Sequence, residues 1–198
     1  MRLLFLPLLF AAVSLSATDS ADRTAGSPNA PVTMEVFSDF QCPHCARLHF
    51  GALKQALTDC VASGRVRIVY RDYPLPQHQY ARRAAQYADA AARIGRYERV
   101  CDELFRTQEE WGRTGDIEGA IGKTLTPAEM VKVRKILSDP KSLSEINNEI
   151  DADMALGSKV PLAETPTTIL TGGGKRYPIR GDVNYDLLKR LIDSLPVK

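Results

Sequence analysis

Cys42 and Cys45 enclose Pro43 and His44, and two thiols held at that spacing can close, open and exchange a disulfide. The flanking sequence says more than the spacing does. The run Pro31-Val32-Thr33-Met34-Glu35-Val36-Phe37 reads as a buried strand, and the segment from Pro43 to about Val61 reads as a helix. In that helix Leu48, Ala52, Ala56 and Cys60 share one side, with Leu53 and Leu57 beside them. Cys42 therefore stands at a helix N-terminus, where unpaired N–H groups and the helix dipole stabilise an anion. A thiolate held there forms at lower pH and departs more readily than that of a free cysteine. Zinc is the competing use of such residues, since His44 and His49 are close by. Structural zinc takes four ligands, and neither a second CxxC nor a spaced Cys/His pair is present, so no metal and no cofactor are expected.

The elements that must position the thiols follow along the chain. Gly64 ends the first helix, and Arg65-Val66-Arg67-Ile68-Val69-Tyr70 alternates as a second strand, giving a right-handed parallel strand–helix–strand unit. From Gln77 to about Trp111, apolar residues recur in steps of three and four, with an interruption expected at Gly95. Thr126-Pro127-Ala128-Glu129 is a capping box that opens another helix, Asp139-Pro140 breaks it, and the periodicity resumes from Ser142 to about Leu156. The sheet pattern returns at Thr167–Thr171, turns at Gly172-Gly173-Gly174 and continues through Arg176–Arg180. An amphipathic helix at Tyr185–Ser194 closes the chain. Two sheet-forming halves, 31–75 and 159–198, thus flank a helical block at 76–158.

The N-terminus supplies an address. Arg2, the apolar run Leu3–Val13 and the small residues Ser14–Ala17 have the three regions of a secretory signal peptide over residues 1–17. The run is well below the roughly 20 residues needed to span a bilayer. Residues 18–30 are small, polar and unpatterned and are expected to form a flexible lead-in. Export, to the periplasm or its equivalent, places the thiols where disulfides persist. A net charge of +2 gives no reason to expect nucleic acid or an anionic membrane surface as a partner.

The stretch Phe37-Ser38-Asp39-Phe40-Gln41-Cys42-Pro43-His44-Cys45, the helical block, and Glu164-Thr165-Pro166-Thr167 before the third strand together resemble the DsbA-like disulfide oxidoreductases of the thioredoxin superfamily. The resemblance spans about Val32 to Leu195 and implies an α/β thioredoxin fold with a helical insertion between its two halves. It implies that Cys42 is the exposed nucleophile and Cys45 the buried resolving thiol, with Pro43 and His44 tuning the pair. His44 is expected to bring positive charge or a hydrogen bond to the sulfur. It further implies that Pro166 follows a cis peptide bond and packs on the disulfide, while Thr165 offers its backbone to a bound substrate strand. The implied activity is dithiol oxidation of folding proteins with free thiols, by a monomer reoxidised by a membrane partner of the DsbB type. A reductase or isomerase kept reduced by a membrane protein, or a non-catalytic chaperone on the same scaffold, are the alternatives. Two positions depart from the pattern. Where such proteins commonly bury an acid there is Val36, with Glu35 facing the other way, and Thr165 stands where the best-known DsbA has valine.

Other residues carry less chemistry. Cys60 and Cys101 each lie on an apolar helix face, open either to burial as free thiols or to a structural disulfide joining the first helix to the insertion. His49 reads as an ordinary helix residue, and His78 as a residue of a loop or helix start. Tyr80, Tyr87, Tyr97, Phe105 and Trp111 fall at core spacing.

Overall fold

A computed structural model describes residues 23–159 and 164–196. The reading of residues 1–17 as a signal peptide lies outside these. Five strands form one sheet: β1 (Thr24–Ala25), β2 (Val32–Ser38), β3 (Val66–Asp72), β4 (Thr167–Gly172) and β5 (Lys175–Arg180), in the order β1-β3-β2-β4-β5. β2 pairs parallel to β3 from Val32 opposite Val66 to Ser38 opposite Asp72, and antiparallel to β4. The parallel pair is joined by the long crossover that such pairing demands. The crossover starts as α1 (Pro43–Leu48), widens into π-helical turns at His49–Leu53, and narrows to α2 (Lys54–Ala56). It widens again at Leu57–Val61.

The helical block comprises α3 (Ala81–Ala92), α4 (Tyr97–Arg106), α5 (Gln108–Thr114), α6 (Ile117–Ile121), α7 (Pro127–Ser138) and α8 (Pro140–Ser158). Gly95, at φ +69°, separates α3 from α4 where the interruption was expected, because a left-handed residue cannot continue a helix. The Thr126 capping box opens α7, and Asp139 both ends α7 and caps α8 through its carboxylate on the Ser142 N–H. Helix α9 (Tyr185–Ser194) returns to the sheet. Two apolar cores result. One is built from α3, α4 and α6 to α8 around Trp111, Leu104 and Ile117, and reaches Phe40, Cys42 and Cys45. The other seats Leu48, Ala56, Cys60, Leu188 and Ile192 on the apolar face of β2 and β3. Tyr87, Phe105 and Trp111 are buried in the first core and Tyr80 and Tyr97 pack against it, as their spacing indicated.

One expectation needs correction, and one open alternative is decided. The lead-in is not flexible throughout: Thr24 and Ala25 pair with β3, and Arg23 is buried at 4% exposure. Its guanidinium lies 2.5 Å from Asp72, 2.9 Å from Asp153 and 3.5 Å from Asp89. A buried charge needs such partners, and these three carboxylates come from distant parts of the chain. The Cys60–Cys101 disulfide is not formed; both are free buried thiols. Cys60 belongs to the sheet core, with its sulfur 3.9 Å from the Tyr185 hydroxyl, whereas Cys101 belongs to the helical core. Two apolar faces can each be buried without meeting.

Candidate active site

β2 ends at Ser38, and Asp39-Phe40-Gln41 carries the chain to α1. Asp39 shapes this turn. Buried at 1% exposure, it accepts hydrogen bonds from the N–H groups of Gln41 and Leu75 at 2.7 Å, and its Oδ2 lies 2.8 Å from His78 Nδ1. His78, expected in a loop or at a helix start, lies in the stretch before α3 and braces the active-site turn through Asp39. Gln108 Nε2 donates to the carbonyls of Phe40 and Cys42, which fixes the turn from the helical side. Cys42 is the N-cap of α1 and Pro43 its first residue, so the missing proline N–H costs no helical hydrogen bond.

The two thiols differ because their surroundings differ. Cys42 is pushed down to about 5, chiefly by the hydrogen bond from the Cys45 thiol, then by the Thr165 hydroxyl and the N–H groups of Cys45 and His44, against the opposing effect of burial. Cys45 is pushed well up, first by burial and then by the neighbouring Cys42. At neutral pH the dithiol form therefore carries a Cys42 thiolate and a Cys45 thiol that donates to it. Asp39 N–H also reaches Cys45 Sγ, at 3.4 Å.

Thr165 meets Cys42 from the far half of the sheet. The Thr165–Pro166 peptide bond is cis, and the Thr165 carbonyl oxygen lies 3.2 Å from Cys42 Sγ. That contact is a hydrogen bond only while Cys42 is protonated. The Thr165 hydroxyl is buried without a hydrogen-bond partner and is thus available to the sulfur once Cys42 ionises. Thr165 is 6% exposed, so its hydroxyl has little access to water.

The His44 ring is not at the sulfur. Its Nδ1 lies 2.8 Å from Asp182 Oδ1, and Arg47 Nε donates to the other oxygen of Asp182 at 2.5 Å. What His44 gives Cys42 directly is its backbone N–H. Asp182 was not singled out from the sequence, and no local signal could have found it, because it lies 138 residues from His44. Val36 borders a cavity beneath Cys45, while Glu35 does face the other way, paired with Arg71 at 3.1 Å and Arg176 at 2.8 Å. No group of side chains with metal-ligand geometry occurs among the described residues.

Cys42, expected to be exposed, is instead buried at 5% exposure under the Thr165 loop, yet a hydrogen-bonded thiol pair with one low and one high pKa is built for thiol–disulfide exchange. Comparison with known proteins agrees. The Thioredoxin family profile matches residues 18–194. The chain is 31% identical over 175 residues to the Na(+)/H(+) antiporter NhaA 3 of Salinispora tropica, covering 87% of this chain and 24% of the antiporter. It thus spans about a quarter of that relative. It is 23% identical to the probable disulfide bond formation protein D of Bacillus cereus, over 88% of this chain and 79% of the other. The crystal structure of a thioredoxin-like oxidoreductase from Silicibacter pomeroyi superposes with a TM-score of 0.69 at 25% identity, covering 86% of this chain and 89% of that one. With its motif, sheet order and thiol pair in agreement with these matches, the chain belongs to the thioredoxin family.

Proposed function

We propose that the chain is an exported dithiol oxidase that passes the Cys42–Cys45 disulfide to the thiols of folding proteins. The observation that carries this reading is the low pKa of Cys42, about 5, beside a buried Cys45 thiol. A client thiolate attacks Cys42 Sγ, the Cys42–Cys45 bond opens, and the client is held as a mixed disulfide. A second client thiolate then attacks the client sulfur, and Cys42 leaves as a thiolate. The easier that departure, the more strongly the protein oxidises. Cys42 is the attacked sulfur and Cys45 its resolving partner. Pro43 and His44 set the geometry of the pair, and Thr165 and Pro166 present the loop beside which a client strand would lie. The charged N-terminus followed by the apolar run Leu3–Val13 supports export, and no helix among the described residues is long and apolar enough to cross a membrane. A membrane oxidant of the DsbB type is the partner this cycle requires to restore the disulfide.

Equilibration with graded glutathione buffers, followed by alkylation and mass counting of free thiols, tests the direction of flow. A potential near the roughly −120 mV of DsbA is expected. A value near the roughly −270 mV of thioredoxin would replace the oxidase with a reductase or isomerase.

A further inference from the structure

Cys45 must lose a proton when it attacks and regain one when it leaves, yet it is 1% exposed. Val36 occupies the place where the resemblance leads one to expect a buried acid. A different group stands close by. His49 lies one helical turn beyond Cys45, its N–H bonded to the Cys45 carbonyl, so the two side chains share a helix face. His49 is itself buried, at 4% exposure, and both residues border an internal cavity of about 30 Å³. A cavity above roughly 10–15 Å³ with polar walls can hold a water molecule, and Ser38, Cys45 and His49 give this one such walls.

The His49 ring is held in one tautomer. Its Nε2 is 2.6 Å from Asp102 Oδ1, and Lys54 Nζ sits 2.7 Å from the same carboxylate. Lys54 and His49 together hold Asp102 ionised against the effect of its partial burial. A carboxylate only accepts, so Nε2 carries the hydrogen and Nδ1 keeps its lone pair. Burial keeps the ring neutral near pH 7, which leaves it able to take a proton. The far side of the dyad is wet, since the side chains of Asp102, Lys54 and Glu98 are 27%, 30% and 64% exposed.

The other titratable groups around the cavity are placed less well, and Glu98, which also borders it, is 64% exposed with its carboxylate held by Lys54 Nζ at 3.0 Å. Arg71 stays charged and has no lone pair to offer. Tyr70, Tyr97 and Cys101 are all pushed up by burial and hold their protons. Asp72 borders the cavity too, but its side chain is 4% exposed and locked onto Arg23 at 2.5 Å. A proton placed there would remove one of the three counter-charges of a buried guanidinium.

We propose that His49 is the proton-transfer partner of Cys45, acting through a water molecule in the shared cavity with Asp102 fixing the ring. When Cys45 attacks Cys42 Sγ in a mixed disulfide, the Cys42–Cys45 bond forms and the bond from Cys42 to the outgoing sulfur breaks. The electron pair leaves on that outgoing thiolate, and the Cys45 proton passes through the water to His49, whose imidazolium faces Asp102. In the opposite direction Cys45 departs with the electron pair and takes the proton back. The step is the same whichever way electrons flow overall, so it does not rest on the oxidase assignment.

The test mixes the dithiol protein with glutathione disulfide and follows, by acid quench and mass spectrometry across pH 5–9 (a range of about four units around neutrality), formation and decay of the glutathione adduct on Cys42. In His49→Gln, formation of the adduct is expected to proceed as before. Its decay through Cys45 is expected to slow by about 100-fold at neutral pH, the lower end for positioned proton transfer. The decay should then rise with hydroxide alone, and added imidazole should restore part of the rate. Asp102→Asn is expected to slow the same step by a smaller factor and serves as the deciding variant if His49→Gln does not fold. Unchanged decay rates and pH profile in the folded variants would overturn the proposal. So would slowing confined to Asp72→Asn, which would give the role to that carboxylate.

Discussion

His44 Nδ1 lies 2.8 Å from Oδ1 of Asp182, a residue of the loop between β5 and α9. The contact ties the second residue of the CxxC dipeptide to the far half of the fold. It directs the ring away from Cys42, so the dipeptide acts on the sulfur through its backbone. Asp182 is pushed down to about 2, first by its hydrogen bond with His44 and then by Arg47. It is therefore a fixed negative charge beside the helix N-terminus.

Neutralising that charge should favour the Cys42 thiolate. Asp182→Asn leaves Arg47, in the last turn of the short helix α1, without its carboxylate partner, and the Cys42 pKa is expected to fall by about 0.3 unit, the scale of one screened surface charge. Titration of the thiolate by its ultraviolet absorbance reads this directly. A rise would mean that Asp182 acts by orienting the helix start rather than by its charge.

Thr165→Val removes a buried hydroxyl that has no hydrogen-bond partner and that lowers the Cys42 pKa. A hydrogen bond to a charged group contributes about 1.5 kcal/mol or more, so the Cys42 pKa is expected to rise by about one unit. The same change should make the disulfide a weaker oxidant in a glutathione titration. An unaltered pKa would show that the N–H groups of α1 and the Cys45 thiol suffice without the hydroxyl.

The stability of the two redox forms should diverge with pH. The folded-state pKa of Cys42 is depressed, to about 5 from 9.0, so its contribution to the dithiol form is complete above the unfolded value and lost as pH falls toward 5. Cys45, raised by burial, stays protonated in the folded and unfolded states below about pH 8 and adds no slope there. Denaturant unfolding of the dithiol and disulfide forms at several pH values should show the dithiol form gaining on the other as pH rises from about 5 toward about 8, where Cys45 is still silent. A pH-independent difference would contradict the low Cys42 pKa.

Arg23 anchors the segment that leads into β1. Arg23→Ala strands Asp72, Asp89 and Asp153 without their shared cation, which is expected to cost about 3–5 kcal/mol in chemical denaturation at neutral pH. Burial raises Asp72 to about 6 and pushes Asp89 well above the usual carboxylate range, so acidification should protonate these carboxyls and shrink the loss. A loss that stays constant between neutral and mildly acid pH would mean that the arginine acts by packing alone.

The sequence by itself determined the local parts of this protein. Cys42 at a helix start, Pro43 at its first position, the Thr126 capping box and the Gly95 break are all set by neighbours within a turn or two. The family motif extended this to the overall fold and to the cis bond before Pro166. Tertiary structure decided everything that joins distant segments. It seated Arg23 among three carboxylates, set Cys60 and Cys101 in separate cores, and drew His44 to Asp182. It also brought His49 and Asp102 together. Helical period says which face is apolar but not which partner covers it, and a charged residue reads the same whether its partner is water or a buried ion. The chemistry of the two thiols was legible early because helix N-termini are local; the route of their protons was not, because it runs through a cavity that only the folded chain encloses.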